Sequence, residues 1–213
     1  MKIFFSCLII KIYRKFKSLI ASCYERELGY RGKNVMLGIP ASCSSLKRMY
    51  LYDNTNIFDG FRFISYTGKF IMKENSGAAE GLTIITGNHH RVVGEFIKET
   101  IQKRSEDIEQ DIIVHEDVWI GANVILMEGC HVGRGANIGA GSVVRFKIPP
   151  YAVVIGNPAK IVGFSYSPEE VKEHELKMYA PNDRIDICEY EKVYQKFYID
   201  NIKQIQSYLK FRP

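Results

Sequence analysis

Residues 114–144 read VHEDVWIGANVILMEGCHVGRGANIGAGSVV. Branched aliphatic side chains stand every six residues, at Val114, Ile120, Leu126, Val132, Ile138 and Val144. Gly121, Gly133 and Gly139 directly follow three of them. Small or β-branched residues stand four places on, at Val118, Val124, Cys130, Ala136 and Ser142. A period of six matches neither the 3.6-residue turn of a helix nor the two-residue alternation of an ordinary strand. It is the pattern of a parallel β-helix, in which each hexad is a short strand and a turn and three hexads close one triangular coil. The aliphatic points into the prism, the glycine relieves crowding at the corner, and the small residue fills the rest of that corner.

The same frame extends upstream in a weaker form. Met72, Ala78 and Ile84 are six apart, as are Leu51, Ile57 and Phe63, with a slip between Phe63 and Met72. Coils are therefore expected over 33–163, interrupted by one polar excursion at 88–107 that carries Arg91, Lys98, Lys103 and Arg104. The fold class is mainly β, with a helical arm at 1–32 and a helical tail at 164–213. In the arm, Phe5, Leu8, Ile9, Ile12, Phe16, Leu19 and Ile20 recur at helical spacing, with Lys11, Lys15 and Ser18 opposite. In the tail, Ser167-Pro168-Glu169-Glu170 is a capping box that starts a helix running to about Tyr179. A second helix is expected over about 188–209, its apolar side made of Tyr190, Val193, Tyr194, Phe197, Ile202 and Ile205. The tail helices are expected to cover the open edge of the last coil.

Charge narrows the function classes. The chain carries a net +5, but residues 1–33 hold eight basic residues against Glu25 and Glu27, so the remainder is close to neutral. A body of that kind is not a nucleic-acid binder. The longest apolar run of the arm, Ile3 to Ile10, is about half of what a membrane span needs. Lys11, Arg14, Lys15 and Lys17 stand where the apolar core of a signal peptide would be. Two readings of residues 1–24 stand: a helix packed on the body or a neighbouring subunit, and a basic amphipathic helix lying on an anionic membrane surface. The five cysteines (Cys7, Cys23, Cys43, Cys130, Cys188) form no Cys-x-x-Cys, which argues against a disulfide framework or zinc knuckle and for reduced thiols in a cytoplasm, at most at the inner face of the membrane.

Several ordered motifs carry a resemblance. Asp117-Val118-Trp119-Ile120-Gly121-Ala122-Asn123 is followed by Ile138-Gly139-Ala140-Gly141-Ser142-Val143-Val144. Pro149-Pro150-Tyr151 and Gly156-Asn157-Pro158-Ala159-Lys160 come next. In these the chain resembles the hexapeptide-repeat acyltransferases, and more narrowly the maltose/galactoside O-acetyltransferases and their relatives in polysaccharide biosynthesis. The likeness is close from about 111 to 163 and recognisable from about 50. It implies a left-handed prism, an exception to the right-handed crossover rule, and a homotrimer with acetyl-CoA between adjacent prisms. It also implies direct acetyl transfer to an acceptor hydroxyl or amine, with no acyl-enzyme and no metal.

A sugar hydroxyl attacks a thioester only if a base takes its proton, and histidine suits that task. Thr86-Gly87-Asn88-His89 closes a coil where the family places its base. His90 is adjacent, so either His89 or His90 fills the role, and neighbours on an extended backbone point to opposite sides. Asn88 would orient the base or bind acceptor, and Asp59 aligns with an acceptor-binding position. Ala122 and Ala140 would line the pantetheine arm. Arg145 and Lys147 stand where the family has Thr-Lys-Asp and retain cations for the donor phosphates. Lys160 matches a basic family position, and Gly163 lacks a second cation that some relatives carry there. His115, His131 and His174 read as corner, turn and tail-surface residues, Cys130 as inert corner packing and Trp119 as packing.

The leading expectation is an acetyl-CoA-dependent O-acetyltransferase acting on a sugar or polysaccharide precursor. An antibiotic or amino-sugar N-acetyltransferase of the same fold is the alternative. A γ-type carbonic anhydrase-like zinc protein is a more distant one, because His115 and His131 occupy different hexad positions.

Overall fold

The computed structural model describes residues 2–102 and 108–210. Lys103 and Arg104 of the excursion, and the side chains of Phe5, Cys7 and Leu8, lie outside what it describes. After helix α1 (Lys2–Arg26) the chain winds into coils of three strands. These are β1 (Tyr30–Arg31), β2 (Met36–Leu37) and β3 (Ser42–Cys43), then β4 (Met49–Leu51), β5 (Asn56–Ile57) and β6 (Arg62–Ile64), then β7 (Phe70–Met72), β8 (Gly77–Ala78) and β9 (Thr83–Ile85). The excursion holds β10 (Gly87–Asn88), α2 (Ile97–Gln102) and β11 (Ile108–Glu109). Coiling resumes with β12 (Ile112–Val114), β13 (Trp119–Ile120) and β14 (Ile125–Leu126), then β15 (His131–Val132), β16 (Asn137–Ile138) and β17 (Val143–Val144). It ends in a hairpin of β18 (Ala152–Ile155) and β19 (Lys160–Phe164), followed by α3 (Pro168–Met178), α4 (Ile187–Phe197) and α5 (Ile202–Lys210).

The strands stack into three parallel faces. The first is β1-β4-β7-β12-β15, the second β2-β5-β8-β13-β16-β18 with β19 antiparallel at its end, and the third β3-β6-β9-β14-β17. Register follows the aliphatic frame. Leu51, Met72, Val114 and Val132 pair in one column, Ile57, Ala78, Ile120 and Ile138 in the next, and Phe63, Ile84, Leu126 and Val144 in the third. All are buried, and each large aliphatic withdrawn from water contributes about 1.5–3 kcal/mol. The strands are short because a residue must leave the face at every corner. Asn34, Asn54 and Asn75 take a positive φ at one corner column, a conformation asparagine tolerates, and their side-chain amides ladder at 3.0 Å. At Gly121 a Cβ would lie 2.6 Å from the Ala140 nitrogen of the next coil, so only glycine fits there.

The upstream slip is a longer corner. Residues 65–69 add length between Phe63 and Met72, and Arg48 closes the corner by donating to the Ser65 hydroxyl (3.0 Å) and carbonyl (2.7 Å). The first strand begins at Tyr30, a few residues before the expected start, and the hexad frame runs through Arg31, Leu37 and Cys43.

The arm is helical as expected, and its root is held on the prism. Tyr24 and Leu28 pack against the core, Glu25 accepts from the Leu37 nitrogen (3.2 Å), and Lys17 pairs with Asp59. Its apolar stripe is not covered by its own body, however: Ile9, Ile12, Tyr13, Phe16 and Leu19 are each about 60% exposed. Packing on this chain's own body is therefore ruled out for that stripe. Among the described residues no helix is long and apolar enough to cross a membrane.

In the tail, α3 has the capping box, with Ser167 accepting from Glu170 and Glu170 from Ser167. The expected second helix is two, α4 and α5, separated by a short 3-10 turn at Ile199–Asn201. The edge of the second face is covered first by β19, which turns back antiparallel; α4 then packs on β19 through Phe164, Tyr190 and Tyr194. His174 is not a surface residue of α3. It packs edge-on to Tyr151 at 5.8 Å and against Tyr166 at 5.2 Å.

Candidate active site

The third face and its two corners hold most of the candidate residues. At the corner where the third face meets the first, β9 runs into Thr86, which is fully buried. The excursion leaves and returns through a neck, with Gly87 opposite Glu109 and Asn88 opposite Ile108. The Gln110 nitrogen donates to the Thr86 carbonyl (2.8 Å). Glu109 is the anchor. Its carboxylate accepts from the backbone nitrogens of Tyr66 (2.7 Å), Thr67 (2.8 Å) and Gly68 (2.6 Å), and from the Thr86 hydroxyl (2.9 Å). Burial alone would raise its pKa, but these donors hold it below the usual carboxylate range. Glu109 therefore stays ionised and fixes the neck rather than accepting a substrate proton.

Beside this neck lies a cleft of about 370 Å³, walled by Ser44, Ser65, Tyr66, Asn88, His89 and Glu109 among others. His89 and Asn88 line it, while His90 does not. The two histidines are separated as expected, but not by strand alternation: β10 ends at Asn88, and the adjacent Asn88 and His89 both line the cleft.

Arg145 and Lys147 stand exposed on the same corner as His89, two coils further along, or about 10 Å at one strand spacing per coil. Ala122 and Ala140 stack on the other corner of the third face, where the Gly141 nitrogen donates to the Ala122 carbonyl (2.8 Å). The pairing of Ile138 with Val154 continues that column to Gly156. Between the corners the third face is flat, its outward positions being Thr83, Ile125 and Val143. Lys160 opens β19 beyond the last coil. Asn88, His89, Ala122, Ala140, Arg145 and Lys147 thus frame one face. Within one chain His89 and the alanine column stand at its opposite edges.

Within one chain Asp59 is not brought to His89. It lies at the corner of the second and third faces in the second coil, where its carboxylate accepts from the Ile39 nitrogen (2.9 Å) and pairs with Lys17. Burial would raise its pKa, yet Lys17 and the Ile39 N–H hold it low. Its visible work is to tie α1 to the prism. Cys130 is fully buried and its thiol is pushed up to about 12 by burial, which makes it inert packing. Trp119 rests over Gly77 on the second face and remains half exposed. Among the described residues no group of three His, Cys, Asp or Glu side chains could hold a metal ion. Sequence reasoning placed Thr86 at the coil's end but missed Glu109 and the neck it ties; the only signal for them is that an excursion of this length must be closed where it leaves the coil.

Known proteins share this architecture. The bacterial transferase hexapeptide family (six repeats) matches residues 111–145. A probable macrolide acetyltransferase of Lysinibacillus sphaericus is 35% identical over 104 residues, 49% of this chain and 57% of that protein. The alignment thus spans little more than half of that relative. A galactoside O-acetyltransferase of Lactococcus lactis is 27% identical over 180 residues, 83% of this chain and 74% of that one. The solved structure of a hexapeptide-repeat acetyltransferase of Vibrio cholerae complexed with acetyl-CoA superposes with a TM-score of 0.57 at 22% identity, covering 68% of this chain and 76% of that one. The chain carries the bacterial transferase hexapeptide repeat, and its prism is the left-handed parallel β-helix of the hexapeptide-repeat acetyltransferases.

Proposed function

We propose that the protein transfers an acetyl group from acetyl-CoA directly to a hydroxyl of a sugar or polysaccharide precursor, with His89 as general base. The observation that carries this reading is the placement of His89 in the cleft at the excursion neck, on the face that the alanine column also borders. The imidazole takes the hydroxyl proton as the oxygen attacks the thioester carbonyl carbon. The carbon–sulfur bond breaks as the tetrahedral centre collapses, and the proton passes to the departing CoA thiolate. Asn88 beside His89 orients the acceptor. Because His89 and the alanine column lie on opposite edges of the face, a cleft holding both needs a second prism against it. A homotrimer supplies three such clefts.

A second reading, an antibiotic as acceptor, is favoured by the 35% identity to the probable macrolide acetyltransferase. Release of CoA thiol from acetyl-CoA, screened over galactosides, maltose, amino sugars and macrolides, tests both. A sugar hydroxyl acceptor is expected to give turnover. Turnover with the macrolide alone moves the acceptor assignment, and release with none of them removes the acetyltransferase reading.

We also propose a cytoplasmic enzyme whose arm lies on an anionic membrane surface. On α1 the exposed stripe of Ile9, Ile12, Phe16 and Leu19 is bordered by Lys11 and Lys15, while Lys17 and Tyr24 face the prism. That order puts apolar side chains into the bilayer boundary and ammonium groups at its phosphates. The full chain is expected to sediment with phosphatidylglycerol vesicles and to be released by salt, and a chain lacking residues 2–24 to stay in solution as a trimer by light scattering. If the shortened chain becomes monomeric and the full chain ignores vesicles, the arm covers a neighbouring subunit instead.

A further inference from the structure

The tail borders a second cleft, of about 440 Å³ and open to solvent, beyond the last coil. Its wall joins three parts of the chain: Phe146 from the last corner, Lys160 from β19, and Lys196, Phe197, Gln204 and Tyr208 from α4 and α5. Lys160 Nζ stands 5.3 Å from the Tyr208 ring centre, and Lys196 Nζ stands 5.3 Å from that of Phe197. Among the described residues neither ammonium is in an ion pair. Two uncompensated cations, aromatic faces and a carboxamide around one cleft suit a planar heteroaromatic ligand bearing phosphate.

The cleft also has a defined neighbour. Column pairing carries Ala122 and Ala140 on to Gly156, and a Cβ on Gly156 would come within 2.8 Å of the Tyr208 hydroxyl. Glycine there lets α5 close over the end of the column. An extended ligand rising along Ala122 and Ala140 therefore meets Tyr208 at its next step. Ile205, buried on α5, holds that helix in place.

We infer that α4 and α5 complete the donor site by binding the adenosine 3′,5′-bisphosphate end of acetyl-CoA, with Tyr208 against the base and Lys196 joining Lys160 at the phosphates. This rests on the acetyl-CoA reading above and extends it to a part of the chain whose expected role was only to cover an edge. It also gives the chain a second cation on the tail, where Gly163 leaves none on β19.

Lys196 and Tyr208 are both exposed, so Lys196→Ala and Tyr208→Ala are expected to fold normally by circular dichroism. Calorimetry with adenosine 3′,5′-bisphosphate is expected to show binding to the parent and a loss on the order of tenfold in each variant, the size of one charge-assisted contact for Lys196 and of one ring-on-base stacking contact for Tyr208. In steady state, Lys196→Ala is expected to raise KM for acetyl-CoA by a similar factor. KM for acetyl-pantetheine, KM for the acceptor and kcat should stay unchanged, and Lys196→Arg should restore most of the loss. Normal acetyl-CoA kinetics in both variants would overturn the inference while leaving acetyl transfer standing. Binding of thymidine diphosphate as tight as that of the bisphosphate, with the variants shifting acceptor KM, would overturn it in favour of a nucleotide-linked acceptor. Bisphosphate binding that both variants lose, in a protein that turns over no acceptor, would uphold it and remove the transfer reaction instead.

Discussion

His89→Ala is expected to lower kcat by on the order of a hundredfold or more, the loss typical of a positioned general base. The side chain is exposed at the excursion neck and contributes nothing to the prism core, so the variant should keep its circular dichroism and its affinity for acetyl-CoA. His89→Asn should be as poor as alanine, because an amide can hydrogen-bond the acceptor but cannot take its proton. His90→Ala should cost far less, since His90 does not line the cleft. An inactive His90→Ala beside a normal His89→Ala would move the base by one residue. Near-normal turnover in the double variant would end the histidine mechanism.

The second large effect concerns stability. Glu175 of α3 is 1% exposed. It accepts from Arg134 (3.0 Å), from the Tyr151 hydroxyl and from the Ile185 nitrogen (3.1 Å). Arg134 also donates to the Asp183 carbonyl (2.8 Å) and stacks 3.9 Å from the Tyr179 ring centre. Tyr151 is fully buried; burial first, and the Glu175 carboxylate next, push its pKa up and keep the hydroxyl protonated as a donor. Glu175→Ala takes from Arg134 its buried partner, leaving Glu116 at 3.4 Å as its remaining carboxylate, strips the buried Tyr151 hydroxyl of its acceptor, and should cost about 3 kcal/mol. In a chain of this size that is a fall of roughly 10 °C in Tm, read by thermal unfolding. Arg134→Met alone should cost a similar amount, by leaving the carboxylate unpaired. The double variant Arg134→Met/Glu175→Leu should recover part of the loss, which marks the pair as coupled rather than additive. A Tm for Glu175→Ala within about 2 °C of the parent would show that this cluster does not hold the tail.

The prism was legible because its interior admits one kind of residue at one interval. Val114 to Val144 advertise that interval without a gap, and even the upstream slip could be placed between Phe63 and Met72. Coiling was expected from 33, but the strand that opens the first coil was not legible. Its interior position is Arg31, and an end coil with no layer beneath it tolerates an exposed arginine. His89 could be picked out because a proton acceptor at a coil–loop junction is a chemical signal. Glu109 could not. Its partners are the backbone nitrogens of Tyr66, Thr67 and Gly68, which any sequence supplies. The same holds for the tail, where Glu175, Arg134 and Tyr151 are far apart in sequence and meet only after the coils are stacked.

The excursion leaves the first face undisturbed: Met72 still pairs with Val114 although an extra 24 residues beyond one 18-residue coil stand between them. Everything inserted is tied off at the neck. Lengthening such a loop is thermodynamically inexpensive, about 0.6 kcal/mol for each doubling. The segment can thus behave as a cassette in descent. A lineage can exchange the stretch between Gly87 and Glu109 while the stacked coils, and whatever they hold along the third face, are inherited intact. Chains with almost the same prism can then diverge in the acceptor they accept without any step that unfolds their scaffold.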